Sequence, residues 1–327
     1  MLHTRLCDLL RLEHPIISAP MAGTATAELA AAVSEAGGFG MIGASDSRGR
    51  SEQAGWLRDQ IRATRERTDR PFGVGFILSY PGLEDLVQVA LEERVAAVAY
   101  SFGDPTPYVA PAHAVGTKVL VQVQTVSQAR TAAVAAADAI AAQGSEGGGH
   151  TGANGTLSFV PAVVDAVAGI PVIAAGGIAD GRGLAAALLL GAEGAWLGTR
   201  FVASEEWAGG GWRKARVVTA GTDDTVWTRV YDLGLSLPFP DGIGGRVLRN
   251  AFIDAWHGRE AEVVAQRAEL RAQLEAAADV ADADVEAVWA GAAAGLIQSV
   301  EPAGEIVRRI AAEAERLLGE RPSQVLR

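Results

Sequence analysis

Apolar residues gather in eight short runs along the chain, separated by segments with a different rhythm. The runs are Pro15–Met21, Phe39–Ala44, Pro71–Leu78, Val95–Phe102, Lys118–Gln124, Ala137–Gln143, Pro171–Ile178 and Ala195–Phe201. They are rich in Val, Ile, Ala and Phe, with little strict polar alternation, as in strands buried on both faces. Between them, Thr26–Ala36, Gln53–Arg65, Leu83–Glu92, Val126–Ala136, Pro161–Ala168 and Gly183–Leu190 carry apolar positions at helical spacing. Gly or Pro punctuates nearly every junction. A strand–helix alternation repeated eight times predicts an α/β fold, a parallel sheet closed into a TIM (β/α)8 barrel. An open doubly wound sheet is the rival. It normally has fewer strands, and its first-turn G-x-G-x-x-G is missing here.

After Phe201 the rhythm changes. The stretch from Ser204 to about Gly258 holds four of the seven tryptophans and the turn-rich run Leu237-Pro238-Phe239-Pro240-Asp241-Gly242. It reads as an ordered cover, with a homodimer interface as a further use. From Arg259 to Leu318 the pattern is helical, interrupted at Gly291–Gly295, and the tail from Gly319 reads as frayed. The expected organisation is a barrel over 1–203, a lid or insertion over 204–290, and a C-terminal helix over 291–327 that returns to the barrel.

Composition narrows the function. Of 327 residues 49% are hydrophobic, enough for a sizeable core, so disorder is excluded as the main state. The 28 basic residues against 39 acidic ones leave a formal charge of −11, with no Lys/Arg run. A nucleic-acid groove or an anionic membrane surface is therefore not expected. The single cysteine, Cys7, excludes a disulfide framework and a cysteine-built zinc site, and no two histidines have metal-ligand spacing. Arg5, Asp8, Arg11 and Glu13 break the N-terminal apolar stretches, so no signal peptide is expected. No window reaches the ~20 apolar residues of a membrane span. Ala185–Leu190 reads as part of a buried helix. A cytoplasmic, reducing setting fits.

Barrels of this type place chemistry at the C-terminal ends of the strands. Gly176-Gly177 after the seventh run and Gly198-Thr199 in the eighth fall where many barrels hold a phosphate. Glycine admits close approach of N–H groups, and a following helix N-terminus is expected to add positive charge. Either turn alone needs nothing but positive φ; together they point to a phosphate. After the sixth run, Gly147, Gly148, Gly149 and Gly152 surround His150, the one histidine of five at a predicted strand end. Such a loop suits a backbone that hugs a flat ligand, and His150 is a candidate base or hydrogen-bond donor. A solvent-facing or carbonyl-bonded loop histidine is the bland alternative. His3, His14, His113 and His257 read as structural or exposed. Glu146 reads as a brace of the glycine loop or a cofactor contact. Gln122, Gln124 and Gln143 are amides inside an apolar barrel. They meet the polar edge of a heterocycle or pair with each other.

With these residues in view, the chain resembles the nitronate monooxygenase family, formerly 2-nitropropane dioxygenases, to which flavin-dependent enoyl-acyl-carrier-protein reductases are related. The motifs are PIISAPMAG, AGGFGMIGA, RPFGVGFIL, QGSEGGGHTG, PVIAAGGIADGRGLAAALLLGA and LGTRF, with WHGREAE and GLIQSVEPAGEIV further on. The likeness runs from about Leu12 to Leu318. It implies FMN at the strand ends. Ala19, Pro20 and Met21 would line the ring, and Gln122 would be the strand-five contact. Gln143, Gly148 and Gly149 would meet the flavin or its ribityl chain. Gly176, Gly177, Gly198 and Thr199 would hold the phosphate. His150 matches the catalytic histidine. Three positions depart from the family pattern: Gly75 where Asn is frequent, Gly147 in EGGGH for EAGGH, and Trp196 where a polar residue is common.

The resemblance implies an FMN-dependent oxidation of nitronates or nitroalkanes with O2 to a carbonyl compound and nitrite. One alternative is an NAD(P)H-dependent FMN reductase acting on an enoyl thioester or a quinone. Another is a flavin-free barrel that binds a phosphorylated metabolite.

Overall fold

The computed structural model describes residues 2–44 and 50–326. Six strands come first: β1 (Ile16–Ser18), β2 (Gly40–Gly43), β3 (Phe72–Ile77), β4 (Ala97–Ser101), β5 (Lys118–Val123) and β6 (Ala139–Gln143). A short β7 (Gly149–Thr151) leaves the sheet, and β8 (Val172–Ala175) and β9 (Gly194–Leu197) return to it. β10 (Thr225–Thr228) and β11 (Gly244–Leu248) follow. The eight-stranded sheet has the order β1-β9-β8-β6-β5-β4-β3-β2, and its paired strands are parallel. The ends meet at Phe39, which donates to Ile16 O at 2.8 Å and accepts from Ser18 N–H at 3.0 Å. The fold is an α/β barrel of the TIM type.

Alternation along each strand sorts its side chains into two layers. Ala97, Ala99, Leu120, Ala139, Ala141, Ile173 and Trp196 form one buried cluster with Leu6, Cys7 and Leu10 of helix Arg5–Leu10. Thr4 Oγ1 donates to Glu193 O just before β9 (2.6 Å), so this helix plugs the end where strands begin. The opposite end stays open for the site. The other parity packs against the surrounding helices. Only the four-residue helix Thr199–Val202 follows β9 directly. Helix Ala303–Val325 fills the missing outer position, packing on Gly181–Leu189 and Ala27–Glu35. It buries Ile306, Val307 and Ile310 completely, at about 1.5–3 kcal/mol for each side chain.

Several boundaries differ from the sequence expectation. The helix read as Pro161–Ala168 begins at Thr156 and carries Pro161 inside it. Glu146 caps it from outside, which no local signal reveals. Thr106–Ala114 is a helix missed among Pro105, Pro107 and Pro111; its first two prolines sit where N–H groups need no partner. The eighth run stops as a strand at Leu197 and turns helical at Thr199. The tail from Gly319 is not frayed but continues its helix to Val325. Ala185–Leu190 belongs to an amphipathic helix, with Leu184, Ala185 and Ala187 buried but Leu189 exposed. Among the described residues no helix is long and apolar enough to cross a membrane.

The glycine stretch after β6 is no open loop. β7 pairs antiparallel with β11, which pairs with β10, and His150 lies opposite Gly245. Trp227 Nε1 donates to Thr151 O at 3.3 Å. Around this small sheet, Val230, Tyr231, Val247, Phe252, Ile253, Val263, Leu270 and Leu274 form a second core.

Candidate active site

Two adjoining hollows open at the C-terminal ends of the barrel strands, of about 470 Å³ and about 70 Å³. Ala19, Gln122, Gln143, Gly148, Gly198 and Thr199 line both, with Trp196. Pro20, Met21, Gly75, Gly149 and His150 line the larger one, and Gly176 and Gly177 the smaller one. The structure thus brings His150 and the residues expected to line the cofactor to one rim, whereas Gln124 and Glu146 line neither hollow. His3, His14, His113 and His257 line neither hollow.

The smaller hollow is built from turns after β8 and β9. Gly176 and Gly177 have φ of +98° and +76°, a region costly for any residue with a Cβ. The N–H groups of Gly177 and Ile178 have no hydrogen-bond partner among the described residues. Thr199 Oγ1 accepts from Gly291 N–H at 2.9 Å, so its own proton is left to donate. These donors match a phosphate-sized anion. The expected help from the next helix is not there. Asp180 accepts from Gly183 N–H (3.1 Å) and Glu313 from Gly181 N–H (2.8 Å). Two carboxylates thus already occupy two N–H groups in the first turn of Gly181–Leu189.

The amides separate by depth. Gln124 Nε2 donates to Gln143 Oε1 at 3.0 Å, fully buried. The Gln122 side-chain amide has no hydrogen-bond partner among the described residues, and Gln122 lines both hollows. Glu146 braces: it accepts from Thr156 N–H (2.9 Å) and Thr156 Oγ1 (2.9 Å). Its charge opposes the burial that pulls Arg246 below the usual guanidinium range. At Gly75 a Cβ would lie 2.2 Å from Pro20 Cγ, so Pro20 occupies the space a longer side chain would need.

His150 stands in an aromatic wall of the larger hollow. Its Nε2 lies 2.7 Å from Asp232 Oδ1, and both side chains are nearly buried at 12% and 5% exposure. Phe239 stacks on the imidazole at 3.4 Å between centroids and 10° between planes. Trp289 flanks it at 4.9 Å and Phe102 at 6.3 Å. The same wall contains the ion pair Arg213–Glu286. Burial first, and the Asp232 charge second, raise the Tyr80 hydroxyl above its ordinary range. A histidine–carboxylate pair alone does not mark a site, since His113 also meets Asp138 at 2.8 Å on the outer surface. Location in the hollow separates the two. Asp232, Phe239 and Trp289 were missed in the sequence. Asp232 is 82 residues from His150, in helix Val230–Leu235. The Pro-Phe-Pro turn was visible, but nothing local aims Phe239 at the imidazole.

Comparison with known proteins gives the class of this barrel, an oxidoreductase, and its family. The nitronate monooxygenase family model matches residues 3–313, and the chain belongs to that family. Members of this family and its FabK neighbours are flavoproteins. A nitronate monooxygenase of Neurospora crassa is 35% identical over 92% of this chain and 89% of its own. A (3aS,4S,5R,7aS)-5-hydroxy-7a-methyl-1-oxo-octahydro-1H-indene-4-carboxyl-CoA dehydrogenase of Mycobacterium tuberculosis is 38% identical, over 77% of this chain and 68% of its own. The solved structure of FabK from Thermotoga maritima is 40% identical and superposes with a TM-score of 0.89, covering 99% of this chain and 100% of that one.

Proposed function

We propose that this chain is an FMN-dependent nitronate monooxygenase, converting alkyl nitronates and nitroalkanes with O2 to a carbonyl compound and nitrite. One observation carries the reading. A nearly buried imidazole with a carboxylate behind it faces a largely apolar hollow that continues into a small pocket of unpaired N–H donors. The fit to FMN rests on those donors. Gly177, Ile178 and Thr199 suit the phosphate, with Gly176 and Gly198 shaping the turns. Ala19, Pro20, Met21, Gly75, Gln122, Gln143, Gly148 and Gly149 would line the ring and ribityl chain. Bound there, FMN would supply the redox chemistry with substrate and oxygen. The chain's own task is different. His150 takes the α-proton of a neutral nitroalkane and, once protonated, hydrogen-bonds the nitronate so formed. Phe102, Phe239 and Trp289 keep water from the imidazole.

The test begins with the absorbance spectrum of the purified protein, expected to be that of bound FMN. Anaerobic mixing with propionate-3-nitronate should then change that spectrum, and aerobic turnover should release nitrite. An unchanged spectrum removes the reading. Likeness to FabK and to a CoA-thioester dehydrogenase favours a second reading, an NAD(P)H-dependent reductase of an enoyl thioester or a quinone. Rapid bleaching by NADH or NADPH, with no nitrite from nitronates, would move the assignment there.

A further inference from the structure

We propose that Asp232 is a positioning residue that holds His150 in one tautomer, so that Nδ1 is the atom that takes the substrate proton. The proposal rests on the functional reading above and adds to it which nitrogen acts and what orients it. An ionised carboxylate only accepts hydrogen bonds, so the 2.7 Å contact to Asp232 Oδ1 places a proton on Nε2. The neutral ring then carries its lone pair on Nδ1, which has no hydrogen-bond partner among the described residues. Phe239, stacked at 3.4 Å, removes the rotational freedom that would let the two nitrogens exchange roles.

Asp232 is itself incompletely satisfied. Its Oδ2 is buried and has no hydrogen-bond partner among the described residues. A buried acceptor without a donor is costly and calls for a reason. Compensation of a positive imidazolium supplies one. When the α-C–H bond breaks, its proton goes to Nδ1 and its electron pair is delocalised onto the nitro group, giving the nitronate. His150 becomes an imidazolium beside a carboxylate that never takes the proton. The proton leaves later to solvent, restoring the neutral ring. Sequence separation hides this pair: Asp232 reaches the site only because helix Val230–Leu235 packs behind the sheet that contains β7.

Two measurements test it. In the first, nitrogen NMR of the full chain, labelled with 15N-histidine and assigned with His150→Gln, reads the tautomer without turnover. The expected result is a protonated Nε2 and an unprotonated Nδ1 for His150 in the wild type. Asp232→Asn is expected to shift this pattern, because the amide can donate to Nε2 and favour a proton on Nδ1. A wild-type ring protonated on Nδ1, or a pattern unmoved in Asp232→Asn, overturns the proposal. In the second, Asp232→Asn should lower kcat for a neutral nitroalkane by at least about 100-fold with little change in its KM, a far larger loss than for the matching preformed nitronate, which has no α-proton to give up. Asp232→Glu should restore part of the nitroalkane rate. Equal losses on both substrates would mean a structural role and overturn the proposal. If the wild type turns over no nitro compound, the functional reading fails, and the NMR result still decides the tautomer.

Discussion

At Gly75 there is no room for a methyl group. A Cβ would lie 2.2 Å from Pro20 Cγ, on the strand end that lines the larger hollow. Gly75→Ala should cost about 1–3 kcal/mol of stability, read by urea unfolding, and weaken flavin retention. Thr199 gives a second residue-scale expectation. Thr199→Ala removes the one side-chain hydroxyl among the donors named for the small hollow and leaves Gly291 N–H without its acceptor. FMN affinity should fall about tenfold, the worth of one hydrogen bond to a charged group, as measured by fluorescence titration. His150→Asn should damage turnover of neutral nitroalkanes more than of preformed nitronates, as compared by nitrite release; equal losses would remove it as the base. Glycines at strand ends and a histidine among them were legible in the sequence because their residue type is itself the signal. Asp232 was not, because an aspartate in a short helix looks like any solvated acid.

Local elements followed local rules until a distant group intervened. Helix Thr156–Ala166 has no side-chain cap of its own, since Gly155 stands at its N-terminus. Glu146 supplies the cap from ten residues upstream, bonding Thr156 N–H and Oγ1. Glu146→Ala should cost about 1–2 kcal/mol in chemical denaturation and loosen the segment that carries His150. That segment shows the same effect. EGGGH reads as a flexible loop by composition, yet Gly149–Thr151 is held by β11, and Ala292 N–H donates to Glu146 O at 2.9 Å. Period and punctuation located the eight barrel strands, because burial on both faces leaves its mark in sequence. They did not locate β7, whose partner lies about a hundred residues away.

Across the whole molecule, acid should weaken the fold in two stages. Burial pulls His14 below its ordinary value of 6.5, with Glu13 opposing. The unfolded chain then binds more protons, so this contribution is full above 6.5 and is lost as the pH falls from there through the folded value. Burial pushes Asp138 up, but bonds from Val119 N–H, Lys118 and His113 outweigh it and leave it below 3.8. Glu93 is likewise lowered from 4.5 by Arg65, Arg58 and Arg62 against its burial. Both carboxylates stabilise fully above their ordinary values and stop doing so as the pH drops through the folded ones. Melting temperature against pH should fall first below 6.5 and again below 4.5, and His14→Asn should abolish the first step alone. The sequence by itself determined the barrel, the rim where its hollows open, and the glycines and histidine that meet there. Periodicity and residue type are local properties, and a closed barrel brings its strand ends to one place by construction. Tertiary structure alone decided which carboxylate faces the imidazole, which aromatic ring covers it, and which helix terminus is already filled by acids. Those outcomes depend on long-range packing between segments whose own patterns are indifferent to one another.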